Sequence, residues 1–300
     1  DALEDFLYRS NKVLAQAGKA FTEAFYQRAT GSVQRIAFAY FCGCSGGGRD
    51  ALVAASHFPE EFDGIIAGSP YANMVHVGTQ VVGTYLATLR SDGADVLPAL
   101  VARIDPIVKA QCDAVDGVKD GLIQNPAACN FVPARDLPQC KNDEAGPDCF
   151  TQSQVETISV LVTAVTDENG TVVQPGFAVS EILPFFRGER PADINALVPW
   201  DTEGTAQNSL APLGDAVLKT FAMKNDPHFN TRSIFKFSDG GSGAVTNYRA
   251  IVPSGFVQRA NDTLRMGIGS DPRQAAKLIS ANRKLLIWHN GSDEKLTPFM

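Results

Sequence analysis

Gly43-Cys44-Ser45-Gly46-Gly47 follows the apolar run Arg35-Ile36-Ala37-Phe38-Ala39-Tyr40-Phe41 and opens the helical stretch Gly48-Arg49-Asp50-Ala51-Leu52-Val53-Ala54-Ala55. A G-x-S-x-G pentapeptide set between a strand and a helix is the pattern of a nucleophile elbow. Such a turn holds its serine in a strained backbone conformation, and glycines are needed where side chains would collide with the strand and helix that it joins. The first N–H after the serine, that of Gly46, points to where an oxyanion develops. Small-residue turns are common, so the flanking elements carry the argument. They make Ser45 the candidate nucleophile and Gly46 the candidate oxyanion donor, with a structural glycine turn as the alternative.

Outward from the elbow, residues 3–27 carry Leu3, Phe6, Leu7, Val13, Leu14, Ala17, Phe21 and Phe25 at close to a helical period, predicting an amphipathic helix. His57-Phe58-Pro59 stops the elbow helix, and Asp63-Gly64-Ile65-Ile66-Ala67-Gly68-Ser69-Pro70 reads as a turn into a short buried strand. This alternation is that of a parallel α/β sheet. From about Ser91 to Phe237, cysteines, prolines and short polar segments replace it. A long insertion after a strand suits a lid or substrate-binding domain. The rhythm returns with the helix-like Arg273–Ile279 and the strand-like Lys284–Trp288. The expected organisation is therefore a hydrolase core over 1–90, a lid over 91–237 and a return to the core over 238–300.

The chain of 300 residues is 44% hydrophobic and 20% charged, with a formal net charge of −7, which describes a globular protein able to bury a core. Nothing is basic enough to suggest nucleic acid. No apolar run reaches the ~20 residues that span a bilayer, so no membrane partner is expected. The sequence opens Asp1-Ala2-Leu3-Glu4 without the pattern of a signal peptide; if the protein is exported, that segment lies upstream or has been removed.

The strand Lys284–Trp288 runs into His289-Asn290-Gly291-Ser292-Asp293-Glu294. Serine hydrolases of the α/β type keep the triad acid in a loop after a strand, in the chain order Ser, Asp or Glu, His. Asp293 is the candidate acid, against the simpler reading of a turn former. The histidines are 57, 76, 228 and 289. His57 is roughly 18 Å along the helix from Ser45 at ~1.5 Å per residue and reads as helix-end packing. His289 precedes the acid and would reverse the order, while His76 and His228 fall in or near the insertion. None follows Asp293 before Met300, which implies that the 300 residues are a fragment of a longer hydrolase, inactive alone.

Cysteines stand at 42, 44, 112, 129, 140 and 149, with no C-x-x-C pair. Cys42 and Cys44 lack the companions of a zinc site. Cys112 with Cys129 and Cys140 with Cys149 would each close a short loop in a polar, Pro-rich region, as suits an oxidising compartment; buried free thiols are the alternative.

The segment Gly43–Arg49, followed by Phe58-Pro59-Glu60-Glu61-Phe62-Asp63-Gly64-Ile65-Ile66-Ala67-Gly68-Ser69-Pro70, resembles the tannase and feruloyl esterase family, which includes the mono(hydroxyethyl) terephthalate hydrolases. In that family a cysteine before the catalytic serine is joined to one after the catalytic histidine. The resemblance puts Cys44 in the first position, with its partner and the histidine beyond Met300. Cys42 has no counterpart and reads as a buried strand thiol. Cys112-Asp113-Ala114-Val115-Asp116-Gly117-Val118-Lys119-Asp120-Gly121-Leu122 resembles the family's calcium loop. Carried over residue by residue, the ligands are the carboxylates of Asp113, Asp116 and Asp120 and the carbonyls of Val118 and Leu122. Three carboxylates within eight residues repel one another unless a hard cation gathers them, so the residues agree, although Asx turns explain them equally. The resemblance also implies disulfides Cys112–Cys129 and Cys140–Cys149. Coverage is strongest over 36–73 and 112–129 and weak over 150–280, and the family's upstream strands, with the second oxyanion donor, are absent.

The resulting expectation is an α/β-hydrolase core with a large inserted lid, incomplete at both ends, acting as a serine carboxylic ester hydrolase on esters of aromatic acids. It would be secreted or periplasmic, with structural Ca2+ and a small aromatic ester as its partner. Feruloyl esters are preferred over galloyl and terephthaloyl ones. Trp200, Phe177, Phe185 and Phe186 are candidates for stacking on an acyl ring and Arg187 and Arg190 for pairing with a substrate carboxylate, against core packing and a solvated face respectively. Rival readings are a silent aromatic-ligand-binding homologue and an acyltransferase or thiol-dependent hydrolase; Cys44 is a poor nucleophile because an elbow presents its central residue.

Overall fold

The computed structural model describes residues 2–91, 93–96, 98–187, 210–264, 275–291, 293 and 296. These form two compact units, residues 1–73 with 263–289 and residues 74–262 with 290–300. The described strands are β1 (Tyr40–Cys44), β2 (Gly64–Gly68), β3 (Val165–Asp167), β4 (Val172–Gln174), β5 (Lys236–Ser238), β6 (Arg249–Val252) and β7 (Lys284–Trp288).

In the first unit a π-helical turn, Asp5–Arg9, leads into helix α1 (Ser10–Thr30), and helix α2 (Gly46–His57) follows β1. The sheet order is β1-β2-β7, all parallel, with Tyr40 opposite Gly64 and Gly64 opposite Lys284. Strand alternation gives the sheet two faces. On one, Phe41, Ile65, Ala67 and Leu285 pack with Ala51, Leu52, Ala54 and Ala55 of α2 and with Leu278 of the helix Ala275–Ser280. Tyr40, Cys42, Cys44, Ile66, Leu286 and Trp288 alternate to the other face and are exposed. Cys42 is thus not the buried thiol that the sequence suggested. It shares the exposed face because Phe41 takes the core side.

The elbow strand begins later than the run Arg35–Phe41 suggests, because pairing with β2 starts only at Tyr40. Before it, Asp63 accepts the Ala39 N–H through Oδ2 at 2.8 Å and donates its own N–H to the Ala39 carbonyl at 2.7 Å. The amphipathic helix forms, closed by Gly31 at φ 71°, yet it buries none of its residues completely; Leu14 and Phe21 are 72% and 73% exposed. Polar contacts hold it to the turn before β2, where Gln16 and Lys19 donate to the Glu61 carboxylate at 2.7 and 2.9 Å.

The second unit carries a mixed sheet in the order β4-β3-β6-β5, in which only β3 and β6 pair in parallel. Helix α3 (Met74–Thr88) is buried along nearly its whole length and belongs to this unit. It packs on α4 (Gln152–Val162) and on α5 (Leu210–Val217), where Gly78 and Gly214 oppose one another and allow close approach. A capping box starts α4, with Thr151 accepting the Gln154 N–H and Gln154 the Thr151 N–H. Disulfides join Cys112 to Cys129 and Cys140 to Cys149, with Cα separations of 5.1 and 4.9 Å. No described helix is long and apolar enough to cross a membrane.

Candidate active site

Ser45 stands between β1 and α2 at φ 59° and ψ −119°, a conformation that costs a non-glycine residue roughly 1–3 kcal/mol and needs surrounding structure to hold it. Three backbone hydrogen bonds do so. The Ser45 N–H donates to the Gly68 carbonyl, and the Ser45 carbonyl accepts the N–H groups of Arg49 and Tyr71, each at 3.0 Å. The end of β2 is held in turn, since Ser69, itself at φ 35°, donates its N–H to the Trp288 carbonyl at 2.8 Å. The carboxyl ends of β1, β2 and β7 therefore lie side by side, as Cys44, Gly68 and Trp288 pair across the sheet.

The glycines around Ser45 are not equivalent. A Cβ on Gly43 would collide with the Gly47 carbonyl and stand 2.9 Å from Gly47 Cα, and one on Gly48 would collide with the Gly68 carbonyl and stand 2.8 Å from Pro70 Cα. Gly46 and Gly47 have open space at the same position. Steric demand thus falls on Gly43 and Gly48, and Gly47 matters for the room its backbone leaves to Gly43.

Ser45 Oγ is exposed and, like the Gly46 N–H, has no hydrogen-bond partner among the described residues. The N-terminus of α2 lacks a side-chain cap, so its partial positive charge is open beside the serine. The arrangement can present a hydroxyl and, one residue on, an amide to the same reacting group.

Asp293 belongs to the second unit's terminal segment, where its Oδ1 accepts the Leu296 N–H at 2.9 Å and Ser180 Oγ donates to the Gly291 carbonyl at 3.3 Å. His57 packs on Tyr8 and Phe58, with ring centroids 6.1 and 5.9 Å away. His76 lies on α3, His289 follows β7, and His228 is exposed in a turn where its N–H donates to Asp226. Phe177, Phe185 and Phe186 are buried edge to face in the second unit's core, as packing residues are. Arg190, Trp200 and the Arg187 side chain lie outside the described residues.

Sequence reasoning did not find Arg49 or Tyr71 in this site. Burial pushes the Tyr71 phenol up, and its amide locks the Ser45 carbonyl. Only the spacing of Ser69-Pro70-Tyr71 after β2 could have signalled it.

The loop Cys112–Leu122 holds its three carboxylates on its own backbone amides. Asp113 Oδ1 accepts the N–H groups of Asp120 and Gly121 at 3.1 and 3.0 Å, Asp116 accepts those of Val118 and Gln124, and Asp120 accepts that of Leu122. None of the three carboxylates pairs with a basic side chain among the described residues, and Asp113 is buried. The all-oxygen donor set suits a hard cation. In this structure the carboxylates face their own loop amides, and no three acidic, histidine or cysteine side chains are gathered as a metal cluster among the described residues.

A parallel sheet with a positive-φ serine between strand and helix is the architecture of the α/β-hydrolases. The profile of the family described as tannase and feruloyl esterase matches residues 1–298, and the chain belongs to that family. "Probable feruloyl esterase B-2" of Aspergillus terreus is 31% identical over 177 residues, 58% of this chain and 32% of its own length. "Probable feruloyl esterase" of Arthroderma benhamiae is 27% identical over 99% of this chain and 50% of its own. The crystal structure of feruloyl esterase B from Aspergillus oryzae superposes with a TM-score of 0.71 at 21% identity, covering 98% of this chain and 50% of that one. Tannin acyl hydrolase from Aspergillus niger gives 0.67 at 19%, with 99% and 50% covered. The chain spans half or less of the length of these relatives.

Proposed function

We propose that this chain carries the nucleophile of a serine carboxylic ester hydrolase acting on esters of aromatic acids, feruloyl esters first. The observation that supports the reading most directly is the strained Ser45 at the open N-terminus of α2, in a member of a family whose relatives are named for this chemistry. Ser45 Oγ attacks the ester carbonyl carbon while a histidine, which the family pattern places after Asp293, takes its proton. The Gly46 N–H holds the oxyanion of the tetrahedral intermediate. Collapse expels the alcohol, protonated by that histidine, and leaves an acyl-Ser45 that water hydrolyses by the same route reversed. Asp293 orients the histidine and stabilises its charged form.

A calcium ion held by Asp113, Asp116 and Asp120 and the carbonyls of Val118 and Leu122 would organise the second unit without entering the chemistry. We also assign Cys44 to a disulfide with a cysteine outside residues 1–300, and the protein to a secreted or periplasmic setting that suits its two disulfides. Galloyl and terephthaloyl esters are the alternatives. Assay of the full-length protein on methyl ferulate, methyl gallate and mono(hydroxyethyl) terephthalate decides among them: the highest kcat/KM on ferulate is expected. No hydrolysis of any of the three, with Ser45 inert to a fluorophosphonate, would instead support a silent binding homologue.

A further inference from the structure

Arg49 lies on the first turn of α2 and is only 3% exposed. Its guanidinium donates from Nη1 to the Leu7 carbonyl at 3.0 Å and from Nη2 to the Phe6 carbonyl at 2.8 Å, pairs with Asp50, and lies over the Phe6 ring 5.1 Å from its centroid. Both carbonyls belong to the π-helical turn Asp5–Arg9, where the Ser10 N–H reaches back five residues to the Asp5 carbonyl. A widened turn turns carbonyls away from the ordinary ladder, and such turns recur at functional sites. The Arg49 N–H, at the other end of the same residue, donates to the Ser45 carbonyl.

From this geometry we propose that Arg49 is a positioning residue for Ser45: it clamps the start of α2 to the π turn and so sets the direction of Ser45 Oγ and the Gly46 N–H. The elbow needs such a clamp. Ser45 is strained, and Gly46 and Gly47 have no side chains with which to wedge the first turn in place. Gly48 and Arg49 are the first buried residues of the helix, and of these only Arg49 has a side chain that reaches another element. The planar fork suits two carbonyls and one carboxylate together, a geometry that a lysine ammonium cannot reproduce. Misplacement of a reacting atom by about 1 Å is enough to cost on the order of 10² in rate.

The inference rests on the proposed role of Ser45, and its test separates the two. The full-length protein, Arg49→Ala and Arg49→Lys are compared by kcat and KM on the best ester of the panel, and by the rate at which a small fluorophosphonate labels Ser45, well below each melting temperature. Both variants are expected to lose at least tenfold in kcat and in labelling rate, with KM changed less than threefold and lysine retaining more than alanine. A merely structural role would lower the melting temperature and leave the rates of the folded enzyme alone. Rates within twofold of the parent in folded Arg49→Ala would overturn the clamp; if alanine does not fold, parental rates in Arg49→Lys overturn it equally. A parent enzyme that is not labelled at Ser45 would overturn the reading of the site itself.

Discussion

Gly48 faces Gly68 so closely that a Cβ on it would strike the Gly68 carbonyl, the same carbonyl that accepts the Ser45 N–H. On its other side, a Cβ on Gly68 would lie 2.6 Å from Cε2 of the Trp288 indole. The end of β2 thus meets main chain on the side of the elbow helix and the partly exposed Trp288 ring on the other, so the backbone that holds the serine lacks slack where it faces α2.

Gly48→Ala is therefore expected to destabilise the protein by about 1–3 kcal/mol, the range for an overpacked site, and to slow labelling of Ser45. Gly47→Ala meets open space and replaces a glycine inside a helix, so it should be neutral or stabilising by roughly 0.5–1 kcal/mol. Denaturant unfolding of the two variants checks the contrast. Equal losses would mean that the strain is spread over the turn and not localised at the contact with β2.

Ser45→Ala should abolish ester hydrolysis, by on the order of 10⁶ in kcat. Ser45→Gly should abolish it too, but a glycine accepts φ 59° without the penalty alanine still bears. The glycine variant is expected to be more stable than the alanine variant by roughly 1–2 kcal/mol. Calorimetry of the pair checks this, and coincident melting curves would mean that the elbow strain is no larger than the extra backbone entropy that glycine loses on folding.

Asp113, Asp116 and Asp120 repel one another without a cation, so a calcium chelator should lower the melting temperature of the protein. Asp116→Ala should remove that sensitivity. If chelator and added calcium leave the transition of the parent unchanged, the loop is stabilised by its amide contacts alone.

Asp136 accepts hydrogen bonds from Arg135 Nε at 2.7 Å and Nη2 at 2.8 Å, and from the Val132 N–H at 2.7 Å. The Arg135 bonds hold its carboxyl down to about 2. A carboxylate whose folded value lies below its unfolded one contributes stability above the unfolded value, near 3.9, and loses it as pH falls through the folded value. Asp136→Asn should accordingly melt lower than the parent at pH 7, with the gap narrowing below pH 4 and closing near pH 2. A gap independent of pH would mean that the loss comes from packing and not from the charge.

Sequence by itself determined the local parts, because a tight turn, a period-2 strand and a short loop impose their demands on neighbouring residues. Gly43–Gly47 marked the elbow, Asp63–Pro70 and Lys284–Trp288 marked β2 and β7, and the close spacing of the cysteines allowed the two loops that their disulfides close. What only the tertiary structure decided depends on residues brought together from afar. The face to which Cys42 points follows from the start of pairing at Tyr40, and the grouping of α3 with the second unit follows from its packing on α4 and α5. The need for Gly48 comes from β2 some twenty residues on, and the burial of Arg49 from carbonyls more than forty residues back. In sequence, Arg49 looks like a solvated charge at the start of a helix. Its neighbour Asp50 is visible in the sequence, but the partners that bury it, the Leu7 and Phe6 carbonyls, are main-chain oxygens, which every residue has, so no pattern of side chains could have announced them.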